Sequence, residues 1–94
     1  MTVIPEALSQ YDPAKVETAV AATTGTRWAE YAHGDPYFAL WLKIVDTTIA
    51  RRVGIGLFDL ADAPLRDWYD DGIPPKEAAL EVLQADDTFG SLFD

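Results

Sequence analysis

The chain contains no cysteine. That removes disulfides, thiol nucleophiles and every cysteine-based zinc site, and it fits a reducing compartment. Histidine occurs once, as His33. A serine or threonine nucleophile would have that single imidazole as its base. His33 stands before Gly34 at a predicted helix end, where a cation suits the helix dipole, and the structural role is the simpler one. Basic residues are few: seven Lys and Arg face sixteen Asp and Glu, for a formal charge of −9. Direct nucleic-acid binding through a basic patch is therefore not expected. No apolar run approaches the roughly 18 residues that span a bilayer, and the first residues lack the basic-then-apolar order of a signal peptide. A cytoplasmic protein without membrane contact is the expectation. Strand signals are missing too, since nothing sustains a two-residue alternation. Gly54-Ile55-Gly56 lacks the third glycine and the preceding strand of a nucleotide-binding turn.

What is present is apolar and helical. The 94 residues are 49% hydrophobic and include three Trp, four Tyr and four Phe, enough for one domain with a modest core. The stretch 35–54 organises the rest. Asp35 is a good N-cap, and Pro36 fits the first helical position. Gly54 fits a left-handed C-cap, with Arg51 and Arg52 in the last turn. Phe38, Leu42, Val45 and Ile49 recur at helical spacing, and Tyr37, Leu40, Trp41 and Ile44 widen the stripe. So wide an apolar arc belongs to a central helix at 36–53 with neighbours on several sides.

Shorter helices flank it. Asp12-Pro13 starts one that runs to Thr23 with Val16, Ala19, Val20 and Thr23 inward. Thr26 starts another, in which Trp28, Tyr31 and Ala32 share a face. Asp59 suits a tight turn, and Asp62 caps a helix at 63–70 over Ala63-Pro64. There Leu65, Trp68 and Tyr69 face inward, while Arg66, Asp67, Asp70 and Asp71 face outward. Pro75 opens the last helix, at 75–85, with Ala78, Ala79, Val82 and Leu83 buried. The expected architecture is all-α, a compact bundle of four or five helices in a single acidic domain over 1–94. An irregular arm (1–11) precedes it and a tail (86–94) follows.

Two features bear on function. Asp46 lies on a mostly apolar helix, and a half-buried carboxylate needs a partner. Arg66, or Arg51 and Arg52, would supply a structural ion pair. The acids are also unevenly placed: 1–56 hold six acids and five bases, whereas 57–94 hold ten acids and two bases. Asp67, Asp70 and Asp71 crowd a helix C-terminus, where the dipole disfavours anions, and Glu77 and Glu81 repel one turn apart. A partner with a basic surface would relieve both strains. The competing reading is a solvated acidic face. Asp59, Asp62, Asp67, Asp70 and Asp71 do not follow calcium-loop spacing, so no metal and no cofactor are expected.

The run W-x-x-x-V-D, then D-L-A-D, then R-D-x-Y-D-D-G-x-x-P-x-E-A-A resembles a family of small uncharacterised proteins of actinobacteria and bacteriophages. Trp41, Val45, Asp46, Asp59, Leu60, Asp62, Arg66, Asp67, Tyr69, Asp71, Gly72, Pro75, Glu77, Ala78 and Ala79 carry it. The resemblance implies a bacterial or phage setting and transfers no activity. The expected function is thus a non-enzymatic, phage- or prophage-linked interaction module. It would bind a host protein through Asp67, Asp70, Asp71, Glu77 and Glu81. The alternatives are a DNA mimic that occludes a nucleic-acid-binding protein and, less favoured, an enzyme or metal-binding protein. Finally, Ser91-Leu92-Phe93 resembles the end of the peptide by which bacterial proteins dock on the DNA sliding clamp. Phe89, Leu92 and Phe93 form either such a docking tail or a flap that covers the core near Trp41 and Trp68.

Overall fold

The computed structural model describes residues 4–23, 25–54, 56–57 and 64–85. Among these residues there is no strand. The helices are α1 (Pro13–Thr23), α2 (Arg27–Tyr31), α3 (Pro36–Val53), α4 (Leu65–Asp70) and α5 (Pro75–Ala85), with a 3-10 turn at Glu6–Leu8 ahead of α1. The all-α bundle around a central helix is the architecture that the apolar spacing implies.

α3 begins and ends on the expected residues. Asp35 Oδ1 accepts the Phe38 N–H at 3.1 Å, and Pro36 occupies the first position. Gly54 takes a left-handed φ of 79° and donates its N–H to the Ala50 carbonyl. Phe38, Ala39, Leu40, Trp41, Leu42, Val45 and Ile49 are all buried. Every other described helix touches α3, and α5 packs along it most extensively. The small side chains of Ala78 and Ala79, both fully buried, let the two backbones approach closely. Val82 and Leu83 complete that face, and burying each is worth roughly 1.5–3 kcal/mol. Trp41 is fully buried, and its indole Nε1–H donates to the Ile73 carbonyl at 2.9 Å. A buried indole thus has its partner in the connection between α4 and α5.

Five details differ from expectation. The arm is not irregular throughout, because the 3-10 turn buries Ala7 and Leu8 against α3. Thr26 does not cap α2; its hydroxyl donates back to the Thr23 carbonyl at 2.6 Å. Tyr31 does not join Trp28 and Ala32 inside, being 53% exposed. Tyr31 is the last residue of α2, and only Trp28 and the C-cap Ala32 are buried there. α4 starts at Leu65, with Pro64 in the N-cap position, rather than at residue 63. Lastly, Asp46 does not pair with Arg66. Its Oδ1 accepts the backbone N–H of buried Leu57 at 2.9 Å and so ties the chain after α3 back onto that helix. Asp59, Asp62 and the tail residues Phe89, Leu92 and Phe93 lie outside the described residues.

Candidate functional site

The five acids expected from sequence differ in their surroundings. Asp70 belongs to an ion-paired corner centred on Arg66. The Arg66 guanidinium meets Asp70 through Nε at 3.2 Å and Asp35 through Nη1 at 3.1 Å. It also lies over the rings of Phe38, at 4.9 Å, and Tyr69, at 5.3 Å. Asp35 therefore does two jobs: one carboxylate oxygen caps α3 and the other holds α4. Phe38, Trp41 and Tyr69 cluster beneath, with centroids 5.0–5.9 Å apart; Phe38 stacks on Trp41, and Tyr69 meets the Trp41 ring edge-on. Burial, then the Asp35 carboxylate, push the Tyr69 hydroxyl up to about 12 against the opposing pull of Arg66. For Arg66 itself, desolvation lowers the pKa, and Asp70 with Asp35 more than offset it.

This corner forms one wall of an open groove of about 730 Å³ that also touches exposed Tyr31 and His33. His33 has a φ of 52°, the left-handed value that non-glycine residues seldom adopt. It lets the chain turn from α2 into α3 within the few residues before Asp35. With Asp35 and Asp70 on either side, the guanidinium charge is already answered, so the groove is not a ready anion site.

Glu77 and Glu81 lie elsewhere, on a second groove between α4 and α5. It measures about 510 Å³ and is lined by Trp68, Ile73, Glu77, Leu80, Glu81 and Gln84. Trp68, Ile73 and Leu80 are half-buried and supply an apolar floor. Glu77 and Glu81 are exposed one helical turn apart, and neither has an ion pair among the described residues. Asp67 and Asp71 are exposed, unpaired in the same sense, and line neither groove. Trp68, expected to face the core, is instead shared between core and groove. Leu80 was not singled out from sequence. Its signal was there: it is an apolar residue out of phase with the buried stripe of α5, among Glu77, Glu81 and Gln84.

Among the described residues, no three His, Asp or Glu side chains converge as a metal would require. No helix among them is long and apolar enough to cross a membrane.

The Gene 87 protein of Mycobacterium phage L5 is 40% identical to the chain over 46 residues, which are 49% of this chain and 87% of that protein. The Gene 87 protein of Mycobacterium phage D29 is 37% identical over 46 residues, 49% of this chain and 85% of the relative. The chain belongs to this family of small phage proteins. No family profile and no solved structure matches it. The name Gene 87 states no activity.

Proposed function

We propose that the protein is a non-enzymatic interaction module of a phage or prophage that binds a host protein presenting a basic surface. The α4–α5 groove carries this reading. It joins half-buried Trp68, Ile73 and Leu80 to the uncompensated carboxylates of Glu77 and Glu81. An apolar centre with a charged rim is the composition of a protein interface, and aromatic residues supply much of the affinity in such surfaces. The rim also steers a cationic partner, with Asp67 and Asp71 extending the negative field along α4. A cytoplasmic encounter with the host protein follows from this reading.

The DNA-mimic alternative needs carboxylates arrayed together like phosphates. Asp70 is already paired with Arg66, which takes one carboxylate out of such an array and favours the groove over mimicry.

The test is capture from a mycobacterial lysate by tagged wild-type protein and by two charge-reversed variants, at low and at high salt. Glu77→Lys with Glu81→Lys should abolish capture of the salt-sensitive partner. Asp67→Lys with Asp71→Lys should only weaken it. Capture that ignores both salt and the reversal of Glu77 and Glu81 would remove the proposal.

A further inference from the structure

We infer that the occupant of the α4–α5 groove is a basic amphipathic helix of the partner, with apolar side chains on the Trp68–Ile73–Leu80 floor and Arg or Lys beside Glu77 and Glu81. The inference rests on the reading of that groove as the binding surface and specifies what fills it. Three observations bear on the choice.

The first is the backbone chemistry of the walls. The long wall is α5, a helix that pairs its interior N–H and C=O groups within itself, both backbone groups of Ile73 are taken by Trp68 and Trp41, and no sheet edge is present among the described residues. An extended peptide laid on Trp68, Ile73 and Leu80 would find few backbone partners. Its own N–H and C=O groups would lose water against an apolar floor, at a cost of about 1–3 kcal/mol for each unpaired group. A helix satisfies those groups internally and brings only side chains to the surface.

The second is spacing. Glu77 and Glu81 stand four residues apart on α5, roughly 6 Å along its axis. Basic residues four apart on an adjoining helix repeat at the same interval, so both ion pairs form in one register.

The third is charge. The groove rim holds two carboxylates and no cation, in a chain of net charge −9. An acidic or neutral amphipathic helix would gain the floor and meet repulsion or indifference at the rim. A second copy of this acidic chain is disfavoured for the same reason. Helix-in-groove binding of this kind is read through anchors at i, i+3 or i+4, and i+7.

The experiment uses the full chain and three synthetic peptides of about 15 residues, the length at which an isolated helix becomes marginal in water. The first carries a leucine stripe at i, i+4 and i+7 flanked by arginines four apart. The second has the same composition scrambled so that no stripe survives. The third keeps the leucine stripe and exchanges arginine for glutamate. Amide and indole chemical shifts of the protein locate binding, and fluorescence anisotropy of labelled peptides measures it. The first peptide should shift the Trp68 indole together with Ile73 and Leu80, and bind at least tenfold more tightly than either of the others. Glu77→Gln with Glu81→Gln, a change confined to exposed side chains, should weaken it several-fold and leave the circular dichroism spectrum unaltered.

Scrambled peptide that binds as well as the striped one overturns the helix. So does striped peptide that shifts residues away from the groove. If no peptide binds while lysate capture still depends on Glu77 and Glu81, the helical occupant is wrong and the interaction surface stands. If neither peptides nor lysate proteins respond to these two acids, both readings fall.

Discussion

Asp35 allows one position to separate two physical effects. Its Oδ1 accepts the Phe38 N–H at 3.1 Å, and its Oδ2 meets Arg66 at 3.1 Å. Asp35→Asn retains an oxygen for the cap, and Asn caps about as well as Asp. What it removes is the ion pair. The paired side chains are 52% and 30% exposed, so solvent screens the attraction and the pair is worth roughly 0.2–1 kcal/mol. Asp35→Ala removes the cap as well, adding roughly 0.5–2 kcal/mol. The Ala variant should therefore lose roughly 1–3 kcal/mol and the Asn variant no more than about 1. Urea denaturation with an unchanged m-value measures both. Repeating the pair in an Arg66→Ala background sharpens the assignment. There Asp35→Asn should cost almost nothing, while Asp35→Ala keeps its cap penalty. Equal losses for Asn and Ala would show that the oxygen at the head of α3 contributes nothing. A full Asn cost that persists without Arg66 would show that the ion pair was not its source.

Asp46→Ala should cost about 1–3 kcal/mol, because the Leu57 N–H loses its acceptor in a part-buried setting, whereas Asp46→Asn keeps an oxygen and should cost less. Urea denaturation reads both, and equal losses would mean that the carboxylate charge matters more than the hydrogen bond. Folding pushes the Tyr69 hydroxyl up to about 12 from its ordinary 10.0, so the stability held by its neutral form is complete below pH 10 and lost as pH rises through 12. Relative to Tyr69→Phe, the wild type should lose up to roughly 2 kcal/mol by about pH 11.5. Parallel losses in the two proteins would refute the raised value.

The elements legible in the sequence were those governed by neighbours in the chain. The cap at Asp35, the proline at 36 and the glycine at 54 act within one turn, and they bound α3 in the structure as written. The buried face of α5 is a local period and holds residue by residue. The pairings were not legible. Arg66 finds Asp35 across 31 positions, and Asp46 finds a backbone N–H, which no side-chain inventory reveals. Arg66 also had a nearer acid, Asp70, one turn along its own helix, and proximity won over the half-buried carboxylate that seemed to need it more. Tyr31 and Trp68 depart from the inward face for a related reason. In such short helices Trp68 meets the core on one side and the groove on the other, while Tyr31, at the end of α2, is exposed. The groove went unseen because its walls come from two helices whose crossing no local pattern fixes.

The peptide unit of Ile73 is held from both sides. Its N–H donates to the Trp68 carbonyl at 3.0 Å, and its carbonyl accepts the buried Trp41 indole. The corner between α4 and α5 is thereby pinned to the central helix, and the two walls cannot scissor without pulling a fully buried tryptophan from its partner. The Ile73 amide should therefore exchange among the slowest, a result that native-state hydrogen exchange reads directly. For recognition this puts the entropic burden on the other side. A corner pinned in this way is built before any encounter, so under the proposed binding the ordering cost would fall on the docking segment rather than on the groove.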